Sequence, residues 1–265
     1  MKSPRIQKAY TRFFNDIYKA SVDRANLEFF FDNLNHGTKV LNNQIECEQY
    51  IALYGGHHFY KLYAAFASTN FQYIQGKNIE IIDWGCGQAL ATCVLIDYLI
   101  ENCISPKVVS ITLIDPSLIA LQKGCELIRL MLPSNNCSTD FMIRNVSKYM
   151  NDLIPNDLVS KPENIKIHLF SNIIDVEGFD LNKLYELIIT CFGGINRIIC
   201  TSPDNARQHR LDKFHNLFSQ SWSVKRYYSS SDAVEGEIFY VRTGRYEKRK
   251  IKRYEKQFTV KLPQL

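Results

Sequence analysis

The sequence predicts a three-layer α/β fold built on a mostly parallel sheet, with helices added at the N-terminal end. Three observations carry this. From residue 78 onward, short apolar runs alternate with helical patterns, as in strands joined by crossover helices. Two of those runs, 79–84 and 108–114, are continuous and rich in β-branched residues, as strands buried on both faces are. Each meets an acid at its carboxyl end, Asp83 or Asp115, and the first leads into Gly85, Cys86 and Gly87.

The elements follow in order. Ile6, Tyr10, Phe13, Phe14, Ile17 and Tyr18 fall at helical spacing, and 26–34 carries Leu27, Phe29, Phe30, Phe31 and Leu34. After an Asn35-His36-Gly37 turn, helices are expected at 46–54 and 57–67, separated by Gly55 and Gly56. These helices are too short and one-sided to stand alone, so residues 1–75 read as a helical cap. Strands are expected at 79–84, 108–114, 140–146, 165–171 and 196–201, with helices at 88–102, 117–132, 180–192 and 205–218. Two further extended stretches, 222–228 and 237–242, flank Ser229, Ser230 and Ser231 and read as an antiparallel hairpin. That gives seven strands over 76–245, followed by a basic tail at 246–265.

Glycines just past a buried strand let the backbone turn sharply and approach a ligand with no Cβ in the way. The helix that follows aims its free N–H groups and positive dipole end at the same point. Such a pocket at the carboxyl edge of a sheet suits a nucleotide-like cofactor. The dinucleotide fingerprint wants glycine at its sixth position, where Leu90 stands, and no Gly-Lys-Ser/Thr completes a P-loop.

The stretch does resemble motif I of the class I S-adenosylmethionine-dependent methyltransferases, acid-x-Gly-x-Gly-x-Gly. It reads here as Asp83, Gly85, Gly87 and Ala89, with Ala89 in place of the third glycine. The resemblance implies a Rossmann-like fold and S-adenosyl-L-methionine as cofactor, with S-adenosyl-L-homocysteine as product. A carboxylate at position 83 suits the cofactor's ammonium group and would repel a diphosphate. The resemblance also implies that Asp115 receives the ribose hydroxyls, as Rossmann folds do in general. Asp115 lies 28 positions after Gly87, farther than the usual spacing, and Pro116 opens the next helix. Cys86 lies within the loop as a small filler. Asn145 and Val146, after the third strand, occupy the region where the family meets the adenine ring.

Methyl transfer draws its reactivity from the cofactor and needs from the protein alignment and sometimes a base. The family places such groups after the fourth strand. Ser171 and Asn172 stand there, with Asp175 or Glu177 as a candidate base. The Asp/Asn-Pro-Pro-aromatic motif of nucleic-acid amino methyltransferases is absent, which argues against exocyclic adenine or cytosine nitrogens. His168 reads as an ordinary strand residue. Adjacent His57 and His58 do not share a helix face, and no metal site is expected. They mark a helix junction that could hold an anion.

Composition bounds the rest. The 265 residues are 46% hydrophobic, enough for a full core. No apolar run approaches the roughly 18 residues of a membrane span, and no apolar signal core opens the chain, so a cytoplasmic location is expected. The eight cysteines form no C-x-x-C pair and read as reduced thiols. Net charge is +5, yet 241–256 alone holds eight basic and two acidic residues. Tyr246 and Tyr254 interleave them, a pattern that could track nucleic acid. The expected function is methyl transfer to a small molecule or RNA. Two rival readings are a catalytically silent cofactor-binding module that acts on RNA or a partner, and a nicotinamide oxidoreductase, against which the missing third glycine counts.

Overall fold

The computed structural model describes residues 12–25, 34–132, 141–203 and 207–263. Ile6, Tyr10, Leu27, Phe29, Phe30, Phe31 and Cys137 lie outside them. The expected seven-stranded sheet is present. Its strands are β1 (Asn78–Trp84), β2 (Lys107–Ile114), β3 (Met142–Val146), β4 (Ile165–Ser171), β5 (Gly194–Ser202), β6 (Val224–Tyr240) and β7 (Arg245–Leu262). Their spatial order is β3-β2-β1-β4-β5-β7-β6. The first five pair in parallel, and β7 pairs antiparallel with both β5 and β6. This is the Rossmann-like architecture. The chain leaves β1 toward β2 and β3, then returns to place β4 on the other side of β1. That reversal opens a crevice at the carboxyl ends of β1 and β4.

Helices cover both faces. On one face α4 (Leu90–Glu101) and α5 (Leu118–Met131) pack with the N-terminal helices around Ile79, Ile81, Ile111, Leu113, Ile167 and Leu169. On the other, α6 (Leu181–Cys191) and α7 (His209–Ser221) pack on Ile82, Trp84, Ile114, Phe170 and Ile198. Alternation along each strand thus feeds two cores. The N-terminal helices belong to the first: a π-type turn Phe13–Lys19 runs into α1 (Ala20–Arg24), and Phe13 stacks on Phe59 at 5.7 Å.

Three expectations are corrected. The helices expected at 46–54 and 57–67 are one continuous helix. It runs from α2 (Gln44–Tyr50) through a π-type turn Ile51–Gly55 into α3 (Gly56–Ala67). Gly56 serves packing rather than a turn, since a Cβ there would lie 2.7 Å from the Tyr18 ring and 2.8 Å from Ile238. Next, the hairpin is not 222–228 against 237–242. Ser229, Ser230 and Ser231 lie inside the single strand β6, which turns at 241–244 into β7. Finally, the expected basic tail at 246–265 is strand β7 through Leu262. Ile251, Phe258, Val260 and Leu262 are buried, and three of the charges are buried with them: Arg253 donates to Asp232 and Glu255, and Lys256 pairs with Asp212. Charge counting hid a strand whose cations are partly spent inside the sheet. All the described cysteines are free, and five of them are buried.

Candidate functional site

The loop after β1 takes its shape from left-handed backbone. Gly85, Gly87 and Ala89 have φ of 59°, 51° and 58°. A Cβ on Gly85 would strike Ile173 at 2.6 Å, whereas one on Gly87 would meet nothing within 4 Å, so the Gly87 backbone is bare toward open space. Ala89 carries the cost of a left-handed alanine, roughly 1 kcal/mol. Its methyl faces Gly124 of α5, where a Cβ would lie 3.0 Å away, so the missing methyl at 124 makes room for the one at 89. The loop is latched to β2: Cys86 N–H donates to Ile114 O at 3.0 Å, and Gly87 N–H donates to Asp115 Oδ2 at 2.9 Å.

Two acids flank this loop. Asp83 is 1% exposed and accepts from Thr92 N–H and Oγ1–H at 3.2 and 2.7 Å. Burial pushes its carboxyl up to about 7, against the two Thr92 hydrogen bonds and with help from the Asp115 charge. Among the described residues no cation pairs with it. Asp115 is half-buried and accepts from both Gly87 N–H and Ser117 N–H, the latter at 2.9 Å. Burial raises its carboxyl too, while those two bonds oppose the rise.

The carboxyl end of β4 supplies the facing wall. Asn172 is left-handed, φ 56°, and is held by its N–H donating to Thr201 O at 2.8 Å. Backbone strain of this kind collects at functional sites. A polar chain runs from here into α3. Lys61 Nζ donates to Asn172 Oδ1, which turns the Asn172 amide so that Nδ2 lies 2.9 Å from His58 Nε2. An amide NH₂ can only donate, and Asn172 Nδ2 also lies 3.3 Å from His58 Nδ1, so it addresses the ring along one edge. His58 Nδ1 lies 3.0 Å from Ser171 Oγ, which joins the Ser171 hydroxyl to the chain. Tyr50 Oη lies 3.3 Å from His58 Nε2. Burial holds His58 well below its ordinary value and so neutral, with the charges of Lys61 and His57 acting the same way.

These groups enclose a cavity of about 960 Å³. Asp83, Gly85, Cys86, Gly87, Asp115 and Pro116 line one side, and Ser171, Asn172 and Asp175 another. Asn145 and Val146 are not brought there. Asn145 accepts a contact from Cys125 Sγ at 3.3 Å in a shallow depression over α5, and Val146 is buried in the second core. The chain reaches the cavity slightly later, at Lys148, Tyr149 and Met150. Glu177 is turned away from it: its side chain is 64% exposed and meets Arg207 at 3.7 Å. His168 is a core residue, accepting from Trp84 Nε1–H at 3.1 Å and donating to Asn196 Oδ1 at 2.9 Å. Among the described residues no cluster of His, Cys, Asp and Glu could hold a metal.

Sequence reasoning missed Lys61, Tyr50, Lys250 and Lys252, all on the cavity wall. For Lys61 a signal existed: it is the single charge in the apolar run 59–67 and lies on the buried side of α3.

No protein-family model matches the chain, and no curated protein matches it. Solved structures do resemble it. Precorrin-6y C5,15-methyltransferase from Geobacter metallireducens GS-15 is 10% identical, with a TM-score of 0.48 over 75% of this chain and 86% of that one. Magnesium protoporphyrin IX methyltransferase from Synechocystis PCC 6803, with bound SAM, is 11% identical, with a TM-score of 0.44 over 95% of this chain and 94% of that one. The methyltransferase domain of a bacterial Hen1 protein is 14% identical, with a TM-score of 0.42 over 78% of this chain and all of that one.

Proposed function

We propose that this protein transfers a methyl group from S-adenosyl-L-methionine to an acceptor bound in the same cavity. One observation carries the reading. Two carboxyls, the buried Asp83 and the half-buried Asp115, flank a bare glycine backbone at the point where the sheet reverses its growth. A buried acid raised to about 7 with no cation beside it suits a ligand that brings a positive charge. Gly85, Cys86 and Gly87 would hold the methionine and ribose portions, Asp83 the ammonium end and Asp115 the ribose hydroxyls. Pro116, with Tyr149 and Met150 in place of Asn145 and Val146, faces the remaining nucleoside. The cavity volume is at the upper end for small-molecule sites, which supports room for an acceptor beside the cofactor.

The cofactor when bound supplies an activated methyl group. The chain's own residues bind, align and exclude water. Ser171 and Asn172 present polar groups at the end of β4, their orientation fixed through His58 and Lys61, and Asp175 stands where an acceptor proton could be taken. The acceptor is a small molecule or RNA. An RNA would meet Arg242, Arg245, Lys248, Lys250 and Lys252, exposed cations of 242–256. Arg253 and Lys256 are committed to Asp232, Glu255 and Asp212, and Arg249 pairs with Glu247. No helix among the described residues is long and apolar enough to cross a membrane, and the free thiols favour a reducing, cytosolic setting.

Calorimetry with S-adenosyl-L-homocysteine tests the cofactor. Binding is expected, and Asp115→Ala, which removes both the ribose acceptor and the Gly87 latch, should weaken it roughly tenfold or more. Incubating the protein with methyl-labelled cofactor and cell extract should label an acceptor, with Asp115→Ala as control. Failure of the wild type to bind the nucleoside would end the reading.

A further inference from the structure

Three lysines are buried among the described residues, and two of them are satisfied. Lys256 pairs with Asp212 at 2.8 Å and donates to Tyr227 Oη. Lys166 is fully buried, and four backbone carbonyls, those of Lys161, Pro162, Asn164 and Gly193, surround its ammonium and take up all three of its donors. Lys61 is 3% exposed. Among the described residues its ammonium has one hydrogen-bond partner, the neutral Asn172 amide, and no carboxylate forms an ion pair with it. A buried ammonium has three donors to place and a large desolvation cost to offset. Lys61 leaves two donors open while lining the cavity.

Its surroundings continue the pattern. Lys250 and Lys252 of β7 line the same cavity, while the acids Asp83 and Asp115 stand at the β1–β2 end and Asp175 follows β4. Lys148 lines it too but is paired with Asp157 at 2.8 Å. Charge is therefore weighted, negative where a cationic nucleoside would sit and three lysines against one acid along the wall reached from α3, β4 and β7. We propose that Lys61 is the anchor for an oxyanion, a carboxylate or phosphate group, carried by the methyl acceptor. The inference rests on the methyl-transfer reading above and narrows it to acidic acceptors. Asn172 then acts as a positioning residue that holds the ammonium toward the cavity and ties it to the His58–Ser171 pair.

The free site has a pH signature. Burial lowers Lys61 to about 7, with the Asp175 charge opposing. Other ionisable groups facing this wall are His57 and His58 on its own helix, Asp83 and Asp115 from the strand ends, and Lys250 and Lys252 from β7. An oxyanion beside Lys61 stabilises the ammonium, so binding takes up a proton. Affinity should be full below pH 7 and fall as pH rises, by up to about tenfold per unit.

The test uses the full chain loaded with S-adenosyl-L-homocysteine, titrated with benzoate and with inorganic phosphate, and with benzamide as the neutral comparison. At least one anion is expected to bind, with proton uptake seen in buffers of different ionisation enthalpy, and benzamide to bind roughly tenfold more weakly or not at all. Benzoate and phosphate distinguish a carboxylate acceptor from a phosphorylated one. Lys61→Met should lose about tenfold or more in anion affinity, while Lys107→Met, an exposed charge at the far end of β2, should lose less than about twofold. Should Lys61→Met fail to fold, Lys61→Arg must keep anion binding but lose the proton uptake, because a guanidinium does not titrate there. Equal anion binding by Lys61→Met, equal binding of benzamide, or no anion binding by the loaded wild type overturns the proposal. So does a parallel loss of nucleoside affinity in Lys61→Met, which would assign Lys61 to the cofactor's own carboxylate. Failure of the wild type to bind S-adenosyl-L-homocysteine strikes the methyl-transfer reading instead.

Discussion

His168 and His58 are both buried, both neutral and both tied to an asparagine, yet they do different work. His168 lies in the second core between Trp84 and Asn196, and each of its nitrogens has a single partner that is itself engaged: Asn196 Nδ2 donates to Phe192 O at 2.8 Å. The network closes on itself. His58 lies on the cavity wall, and its chain of partners ends in Lys61 at one side and the Ser171 hydroxyl at the other, both with hydrogen-bonding capacity left over. A closed polar network specifies a core, whereas an open one awaits a ligand. Burial alone separates nothing here; satisfaction does.

That contrast can be broken by substitution. The largest effect is expected at the closed network. His168→Leu orphans the Trp84 N–H and the Asn196 carbonyl, and should cost about 3 kcal/mol in denaturant unfolding, with no change in nucleoside affinity. A matching loss of ligand binding would show that the two networks are coupled through β4. His58→Leu should reverse the pattern, costing under about 1 kcal/mol of stability because its partners border the cavity, while weakening benzoate binding about threefold. The smallest effect sharpens the point. Asn172→Gly relieves left-handed strain but strips the Lys61 ammonium of its hydrogen-bond partner. The two terms offset, and stability should change by less than about 1 kcal/mol, while anion affinity should fall because the amide that orients Lys61 and His58 is gone. A variant that gained stability and kept anion binding would reduce Asn172 to a turn residue.

The parts of the fold legible in the sequence are those whose burial is two-sided. Strands β1 and β2 announce themselves as apolar runs closed by Asp83 and Asp115, and the Gly85–Gly87 loop follows from them. Strand β3 is a sheet edge with only Val146 buried, and its expected end at 146 is where it ends. Asn145 and Val146 still miss the cavity because the chain enters it only past the strand end, at Lys148 to Met150, which no pattern in the sequence marks. Strand β7 was hidden because Arg253, Glu255 and Lys256 count as surface charges until their partners on β6 and α7 are known. Lys61 escaped for the same reason. A helix pattern says which side of α3 is buried, but not that Asn172, 111 positions away, meets it there.

The position of β7 has a consequence for how the molecule is made. It lies between β5 and β6 although it is synthesised after both, and among the described residues β6 has no sheet neighbour other than β7. The emerging polypeptide therefore holds β5 as a naked edge, and β6 as an orphan, until the ribosome has released residues 245–262. The two last strands must zip to each other and then dock as a unit. The wall that carries Lys250 and Lys252 is thus completed only at that docking, which ties a competent pocket to the synthesis of residues 245–262.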